Sequence, residues 1–172
     1  MPTDTIYGMV ASALDKKAVM KVYELRKRSP EKPFIILISS YEDLGLFGVK
    51  LNGPVKKVLD KIWPGKVSVI LNCESEKFKY LHRGTKTLAF RFPDKNDLIG
   101  LLKETGPLIA PSANFEGEPP ALTIKEAENY FGDKIDFYED AGKLESLPST
   151  LVKIDSAGKL EVLREGAVEI VL

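Results

Sequence analysis

Pro107-Leu108-Ile109-Ala110 runs directly into Pro111-Ser112-Ala113-Asn114. A short apolar strand that ends in small hydrogen-bonding residues delivers a hydroxyl and a carboxamide to the carboxyl edge of a sheet, where open α/β proteins place their ligands. Two other stretches repeat the pattern. Pro2-Thr3-Asp4-Thr5-Ile6-Tyr7-Gly8 carries hydroxyls and a carboxylate, and Leu147-Pro148-Ser149-Thr150 carries further hydroxyls just before the run Leu151-Val152. Between them lies Arg26-Lys27-Arg28, a concentrated block of cations in a chain whose 25 basic and 25 acidic residues give a formal net charge of zero. Together these stretches point to a site for an anionic, polyoxygenated ligand.

At 172 residues the chain is long enough for one domain with a sizeable core and too short for two ordinary ones. No Pro/Gly/Ser-rich linker, repeat or low-complexity tract divides it. No apolar run approaches the roughly 20 residues of a membrane span, and no basic segment leads into an apolar core at the start. A cytoplasmic protein with no membrane partner is therefore expected. A single cysteine, Cys73, cannot form an internal disulfide, and a single histidine, His82, cannot build a multi-histidine metal site. The charge balance argues against a dedicated nucleic-acid-binding module, which carries a basic excess, but leaves a local basic groove open.

The hydrophobic pattern predicts an α/β domain of short strands and amphipathic helices. Asp15 is a candidate cap for a helix from Lys16 to about Leu25, with the cations Arg26 to Arg28 at its carboxyl end. Phe34 to Ile38 reads as a strand buried on both faces. Pro54 suits the first turn of a second helix that ends at Trp63-Pro64-Gly65. Val67 to Leu71 reads as a strand, Glu74 to Lys86 as a polar loop, and Thr87 to Phe92 as a further strand. In this reading Cys73 is buried and inert, while His82 lies at the surface. Leu98, Leu101 and Leu102 mark a short helix before the strand that leads to Ser112. Thr123 and Glu126 have capping-box spacing for a helix containing Ala127, Tyr130 and Phe131. Strands from Thr150 to Ile154 and from Leu160 to Arg164 form a closing hairpin.

No GxxxxGK[ST] or GxGxxG segment occurs, so a bound nucleotide must have its phosphates held by side chains. Arg26, Lys27, Arg28 and Lys32 are suited to that, since guanidinium forks match phosphate oxygens and lysine adds a point charge. The alternative is a solvated helix end followed by a charged loop. Arg91 interrupts an apolar strand between Phe90 and Phe92, which places it either at a ligand or against a buried carboxylate. Arg164 poses the same question. Thr5, Ser112, Asn114 and Ser149 are ordinary turn and cap residue types, and their interest is that all fall at strand ends.

Pro2 to Gly8, Arg26-x-Arg28, Trp63-Pro64-Gly65, Arg91 with Pro93-Asp94, Pro111 to Asn114, Pro148-Ser149-Thr150 and Leu163-Arg164-x-Gly166-Ala167 resemble, in this order and over essentially the whole chain, the YrdC-type threonylcarbamoyl-AMP synthases. The resemblance implies a YrdC/RibB-like fold: one twisted mixed sheet with flanking helices and a concave, positive cleft. It implies synthesis of L-threonylcarbamoyl-AMP from L-threonine, bicarbonate and ATP with release of pyrophosphate. Partner transferase proteins then carry the threonylcarbamoyl group to tRNA, which is itself a candidate partner. Thr5, Arg91, Ser112 and Ser149 match the threonine-side contacts. Arg26, Arg28, Lys32, Thr87, Asn114 and Arg164 match the ATP-side contacts. Mg²⁺ is expected with the triphosphate, no covalent nucleophile is implied, and metal ligands are unassigned.

The chain departs from the family pattern in three respects. Arg26 stands where the family has lysine. Members carry a helix and a strand before Pro-Thr-Asp-Thr, so the expectation is a single domain over 1–172 lacking them, with an exposed sheet edge that lowers stability or is covered by self-association. Leu37 stands where some longer members have histidine, and the resemblance is to the short form, for which their additional C-terminal domain is not expected. A reading from a different class is a non-catalytic RNA-binding module or divergent paralogue of the same fold. Ser112-x-Asn114 argues against it, because a related paralogue group lacks that pair.

Overall fold

The central strand, Thr87–Arg91, alternates core and cleft side chains, and the rest of the sheet is built around that alternation. In the computed structural model, which describes residues 1–170, seven strands form one mixed sheet. They are β1 (Ala11–Ser12), β2 (Ile35–Leu37), β3 (Val67–Asn72), β4 (Thr87–Arg91), β5 (Leu108–Ile109), β6 (Thr150–Ile154) and β7 (Leu160–Arg164). Their order is β1-β5-β2-β4-β3-β6-β7. Only the β2·β4 and β3·β6 pairs are parallel. The closing hairpin forms as expected, with a register irregularity at Leu151/Val152.

Leu88 and Phe90 of β4 point into the main core together with Ile36 of β2, Val67 and Val69 of β3 and Val152 of β6. Three helices cover that face: α1 (Lys16–Leu25), α3 (Gly53–Ile62) and α6 (Ile124–Phe131); the short α2 (Asp43–Leu46) precedes α3, and the short α4 (Lys79–His82) leads into β4. Their amino ends are capped as the sequence suggests. Asp15 accepts from the amides of Lys17 and Ala18, and Asn52 accepts from Val55. Thr123 accepts from the Glu126 amide, while the Glu126 carboxylate reaches back to Leu122 N–H rather than to the cap residue itself. α5 (Asn96–Thr105) lies on the opposite face, where Leu98 and Leu102 form a smaller cluster with Leu37 and Leu108. The remainder of that face is left open.

The carboxyl end of α1 closes with Arg28 N–H on the Tyr23 carbonyl and Lys27 N–H on the Glu24 carbonyl. This double bond pattern places Lys27 in the left-handed region, at φ 51°. The turn rotates Arg26 inward, where it is buried, and leaves Arg28 leading the next loop. The cationic block is thus a helix-ending motif, and not a uniformly solvated charge run.

Several sequence expectations need correction. The strand read over Phe34 to Ile38 is confined to Ile35–Leu37, and Ile35 is only half buried because it faces the open side. The stretch from Glu74 to Lys86 is not a plain polar loop: it contains a 3-10 turn over Glu76–Phe78 and then α4. His82 is buried at 1% exposure, because Phe78 and Leu81 on either side of the turn insert into the core and carry it inward. Its Nδ1 accepts from Gly84 N–H. Cys73 is buried as expected and donates its thiol proton to the Phe47 carbonyl. β1 and α2 were not anticipated, since elements of two and four residues carry no readable period. Among the described residues no helix is long and apolar enough to cross a membrane. The single-domain expectation ran to residue 172, and its last two residues lie outside the described range.

Candidate functional site

The open face of the sheet forms the floor of a cleft of about 490 Å³. Thr87 and Ala89 of β4, Ile35, Ile70 and Leu151 line that floor, so the cleft runs across a sheet face and not off a strand edge as the sequence pattern implied. β-strand alternation explains this: Thr87, Ala89 and Arg91 share one face, and Leu88 and Phe90 share the other.

At one end of the floor Arg91 forms a buried ion pair with Asp4, with Nη2 and Oδ1 2.9 Å apart and side-chain exposures of 4% and 2%. Arg91 therefore has the buried carboxylate partner of one reading, and it also lines the cleft. The pair is close but poorly aligned. Arg91 Nε and both Asp4 oxygens have no hydrogen-bond partner among the described residues. Burial lowers the Arg91 pKa, Asp4 opposes that shift, and the neighbouring charge of Arg164 adds to it. Burying an incompletely bonded guanidinium is costly, and a ligand carboxylate would relieve the cost.

Four hydroxyls, in two pairs, lie at the same end. The Thr5 hydroxyl lies 3.1 Å from that of Thr3, whose own oxygen donates to the Ile6 carbonyl and so holds the Thr3–Ile6 turn. Ser149 and Ser68 share a hydrogen bond of 2.8 Å. Arg164 Nη2 donates to the Ser149 carbonyl at 2.7 Å. The chain passes so close to that point that a Cβ on Gly166 would lie 2.3 Å from the Pro148 carbonyl oxygen. Ala167 N–H bonds the same carbonyl.

The tetrad Pro111 to Asn114 is tied to the first segment by an antiparallel bridge, with Met9 N–H on Pro111 O and Ala113 N–H on Tyr7 O. Ser112 faces the cleft. Asn114 sits behind it, with its Nδ2 donating to the carbonyls of Phe115 and Glu118. Arg26 crosses to this tetrad. Its Nε donates to the Asn114 carbonyl, and its Nη2 donates to Asn114 Oδ1 and Ser112 Oγ. Burial, and then the charge of Arg28, push the Arg26 pKa down to about 10. Arg26 lines the cleft but clamps the tetrad with the donors that would otherwise face a phosphate.

Arg28 and Lys32 stand on the rim. Arg28 packs over the Phe34 ring and donates back to the carbonyls of Lys32 and Pro33. Lys32 Nζ reaches Glu116 at 2.7 Å. Arg28 also depresses the pKa of Arg164, after the larger effect of that side chain's burial. Cations from α1, the rim loop, β4 and β7 therefore act on one another across the cleft. Such a cluster favours an anion.

Thr5, Arg26, Arg28, Lys32, Thr87, Arg91, Ser112, Ser149 and Arg164 all line this one cleft, and Asn114 lies in the layer behind. Thr85 and Ser68 lie in no motif of the sequence, whereas Thr3 shares the first hydroxyl-bearing stretch with Thr5. Asp4 is the carboxylate of that stretch, and a strand arginine implies such a partner. Nothing in the sequence pairs Glu116 with a lysine 84 positions away. No group of three or more His, Cys, Asp or Glu side chains is placed to hold a metal ion among the described residues.

Comparison with known proteins gives consistent matches. The Sua5/YciO/YrdC family model, described as "Telomere recombination", matches residues 1–166. A Methanocaldococcus jannaschii protein is 32% identical over 171 residues, which is 98% of this chain and 79% of that protein. The Klebsiella pneumoniae threonylcarbamoyl-AMP synthase is 29% identical over 168 residues, covering 96% of this chain and 87% of the relative. The crystal structure of Pyrococcus abyssi Sua5 complexed with L-threonine superposes with a TM-score of 0.85 at 30% identity, over 96% of this chain. The chain spans about half of that protein, 49% of its length.

Proposed function

The chain belongs to the Sua5/YciO/YrdC family, and we propose on that footing that its cleft makes L-threonylcarbamoyl-AMP from L-threonine, bicarbonate and ATP, with release of pyrophosphate. The observation that carries the reading is the buried, incompletely hydrogen-bonded Arg91 at the end of a cleft whose other end is rimmed by Arg28 and Lys32. The cleft is bipolar in the sense the reaction needs, with an enclosed carboxylate site and an open polyanion site. The relatives named as threonylcarbamoyl-AMP synthases and the relative that binds L-threonine support the same assignment.

In this reading the threonine carboxylate meets Arg91. Thr5, Ser112 and Ser149 surround the amino acid, and the hydroxyls of Thr3 and Ser68 hold two of them in place. The threonine amine combines with bicarbonate, losing water, to give a carbamate. A carbamate oxygen then forms a bond to the α-phosphorus as the bond to pyrophosphate breaks. No protein nucleophile is required, so catalysis rests on positioning and on stabilising negative charge. Arg28, Lys32 and Arg164 supply that charge, and Thr87 supplies a hydroxyl on the floor. Arg26 acts as a positioning residue, because its donors fix Ser112 and Asn114.

The described residues offer no carboxylate cage for Mg²⁺. The product is a mixed anhydride, which suits it to transfer by a partner protein onto a tRNA adenosine. Threonine-dependent release of pyrophosphate from ATP in the presence of bicarbonate tests the proposal. Binding of tRNA with no such turnover would support the non-catalytic RNA-binding alternative instead.

A further inference from the structure

The rim cations are already matched by an anion of the chain's own. Glu116 follows the clamped tetrad, and its backbone N–H bonds the Arg26 carbonyl at 2.9 Å. From that fixed mount its carboxylate crosses to the opposite rim. Oε1 accepts from Lys32 Nζ at 2.7 Å, and Oε2 accepts from the Ser29 amide at 2.6 Å. A backbone N–H beside an ammonium is the donor set that holds phosphate oxygens elsewhere. Glu116 carries an opposing charge felt by both Arg26 and Arg28. Its own pKa is lowered, first by the Lys32 bond and then by the Ser29 bond. Arg28 meanwhile is turned into its own loop, with Nε and Nη2 on the Lys32 and Pro33 carbonyls.

We propose that the Glu116 carboxylate is a built-in competitor for the triphosphate: it occupies the anion site of Ser29 N–H and Lys32 Nζ, and ATP must displace it to bind. The proposal rests on the reading that the triphosphate lies against Arg28 and Lys32. Displacement frees the Arg28 to Pro33 loop from the tetrad side and releases Lys32 to the incoming phosphate. The affinity for ATP is then the intrinsic affinity multiplied by the fraction of molecules whose latch is open. Since the ion pair is solvent-accessible, the closed form is favoured only modestly.

The test is calorimetric titration of the wild type, Glu116→Gln, Lys32→Ala and Arg28→Ala with ATP, with inorganic pyrophosphate and with L-threonine. Glu116→Gln keeps the side chain's shape and removes its charge. It should bind ATP and pyrophosphate about two- to tenfold more tightly and leave threonine affinity unchanged. A variant that merely misfolds loses affinity, so a selective gain cannot arise from damage. Equal or weaker ATP binding by Glu116→Gln, while Lys32→Ala and Arg28→Ala still weaken it, overturns the competitor role and leaves the ATP site standing. If neither cation variant changes ATP affinity, the ATP site itself falls and the competitor with it. Weaker ATP binding by Glu116→Gln only when Mg²⁺ is present would place the carboxylate on the cation's side, which also overturns the proposal.

Discussion

Replacing Asp4 with asparagine should separate the two roles of Arg91. Asp4 and Arg91 are both almost wholly enclosed and lie 2.9 Å apart. Asn preserves the volume but removes the countercharge, which leaves a buried guanidinium facing a neutral amide, with the like charge of Arg164 still acting on it. Removing one member of a buried pair typically costs about 3–5 kcal/mol. In a domain of this size each kcal/mol lowers Tm by about 2–4 °C, so a loss of roughly 6–20 °C is expected by differential scanning calorimetry. L-threonine should raise the variant's Tm more than the wild type's, because the ligand carboxylate restores the missing negative charge. The double variant Asp4→Asn/Arg91→Met removes both charges and should recover much of the lost stability while abolishing threonine binding. A single variant that melts within a degree or two of wild type would refute the reasoning, as would a double variant less stable than the single one.

Gly166→Ala introduces a methyl group 2.3 Å from Pro148 O and 2.5 Å from the Ser149 carbonyl carbon. Overpacking of this kind costs about 1–3 kcal/mol, so a lower Tm together with weaker threonine binding is expected, and an unaltered melt would show that the segment moves freely. Arg26→Lys cannot reproduce a fork that serves Asn114 O, Asn114 Oδ1 and Ser112 Oγ at 3.0, 3.0 and 3.2 Å. Losing charge-assisted bonds should cost about 1.5–3 kcal/mol in stability and lower kcat more than it raises KM for ATP, and a change confined to KM for ATP would make Arg26 a direct phosphate contact. The Cys73 thiol, whose pKa is raised by burial, should react with a thiol reagent only in denaturant. The unfolded thiol ionises first, so the thiol's contribution to stability is full below the ordinary thiol range and falls as pH climbs through it. Rapid native labelling would contradict the buried placement.

Much of the site was legible because its residues lie in ordered motifs at the ends of short apolar runs. What the sequence did not reveal was the face on which they converge. Thr87-Leu88-Ala89-Phe90-Arg91 alternates small or polar with large apolar residues, and that period already assigns Thr87, Ala89 and Arg91 to one side. A reading that stops at Arg91 as the interruption of an apolar strand leaves Thr87 and Ala89, and so the cleft floor, unassigned. The turn-like neighbours Arg83 and Gly84 point His82 to the surface, whereas its burial follows from Phe78 and Leu81. Arg26 showed its charge but not its direction, which depends on the left-handed residue Lys27 that closes α1. The Lys32–Glu116 contact links segments that only tertiary packing brings together.

The central claim is that this cleft joins threonine, bicarbonate and ATP into one adenylate. Incubating the protein with ATP, L-threonine and isotope-labelled bicarbonate, then analysing the products by mass spectrometry, tests it most directly. The account predicts L-threonylcarbamoyl-AMP carrying the bicarbonate label, formed with pyrophosphate and lost in Arg91→Ala. Intact ATP after prolonged incubation, or AMP and pyrophosphate formed without threonine, would contradict it.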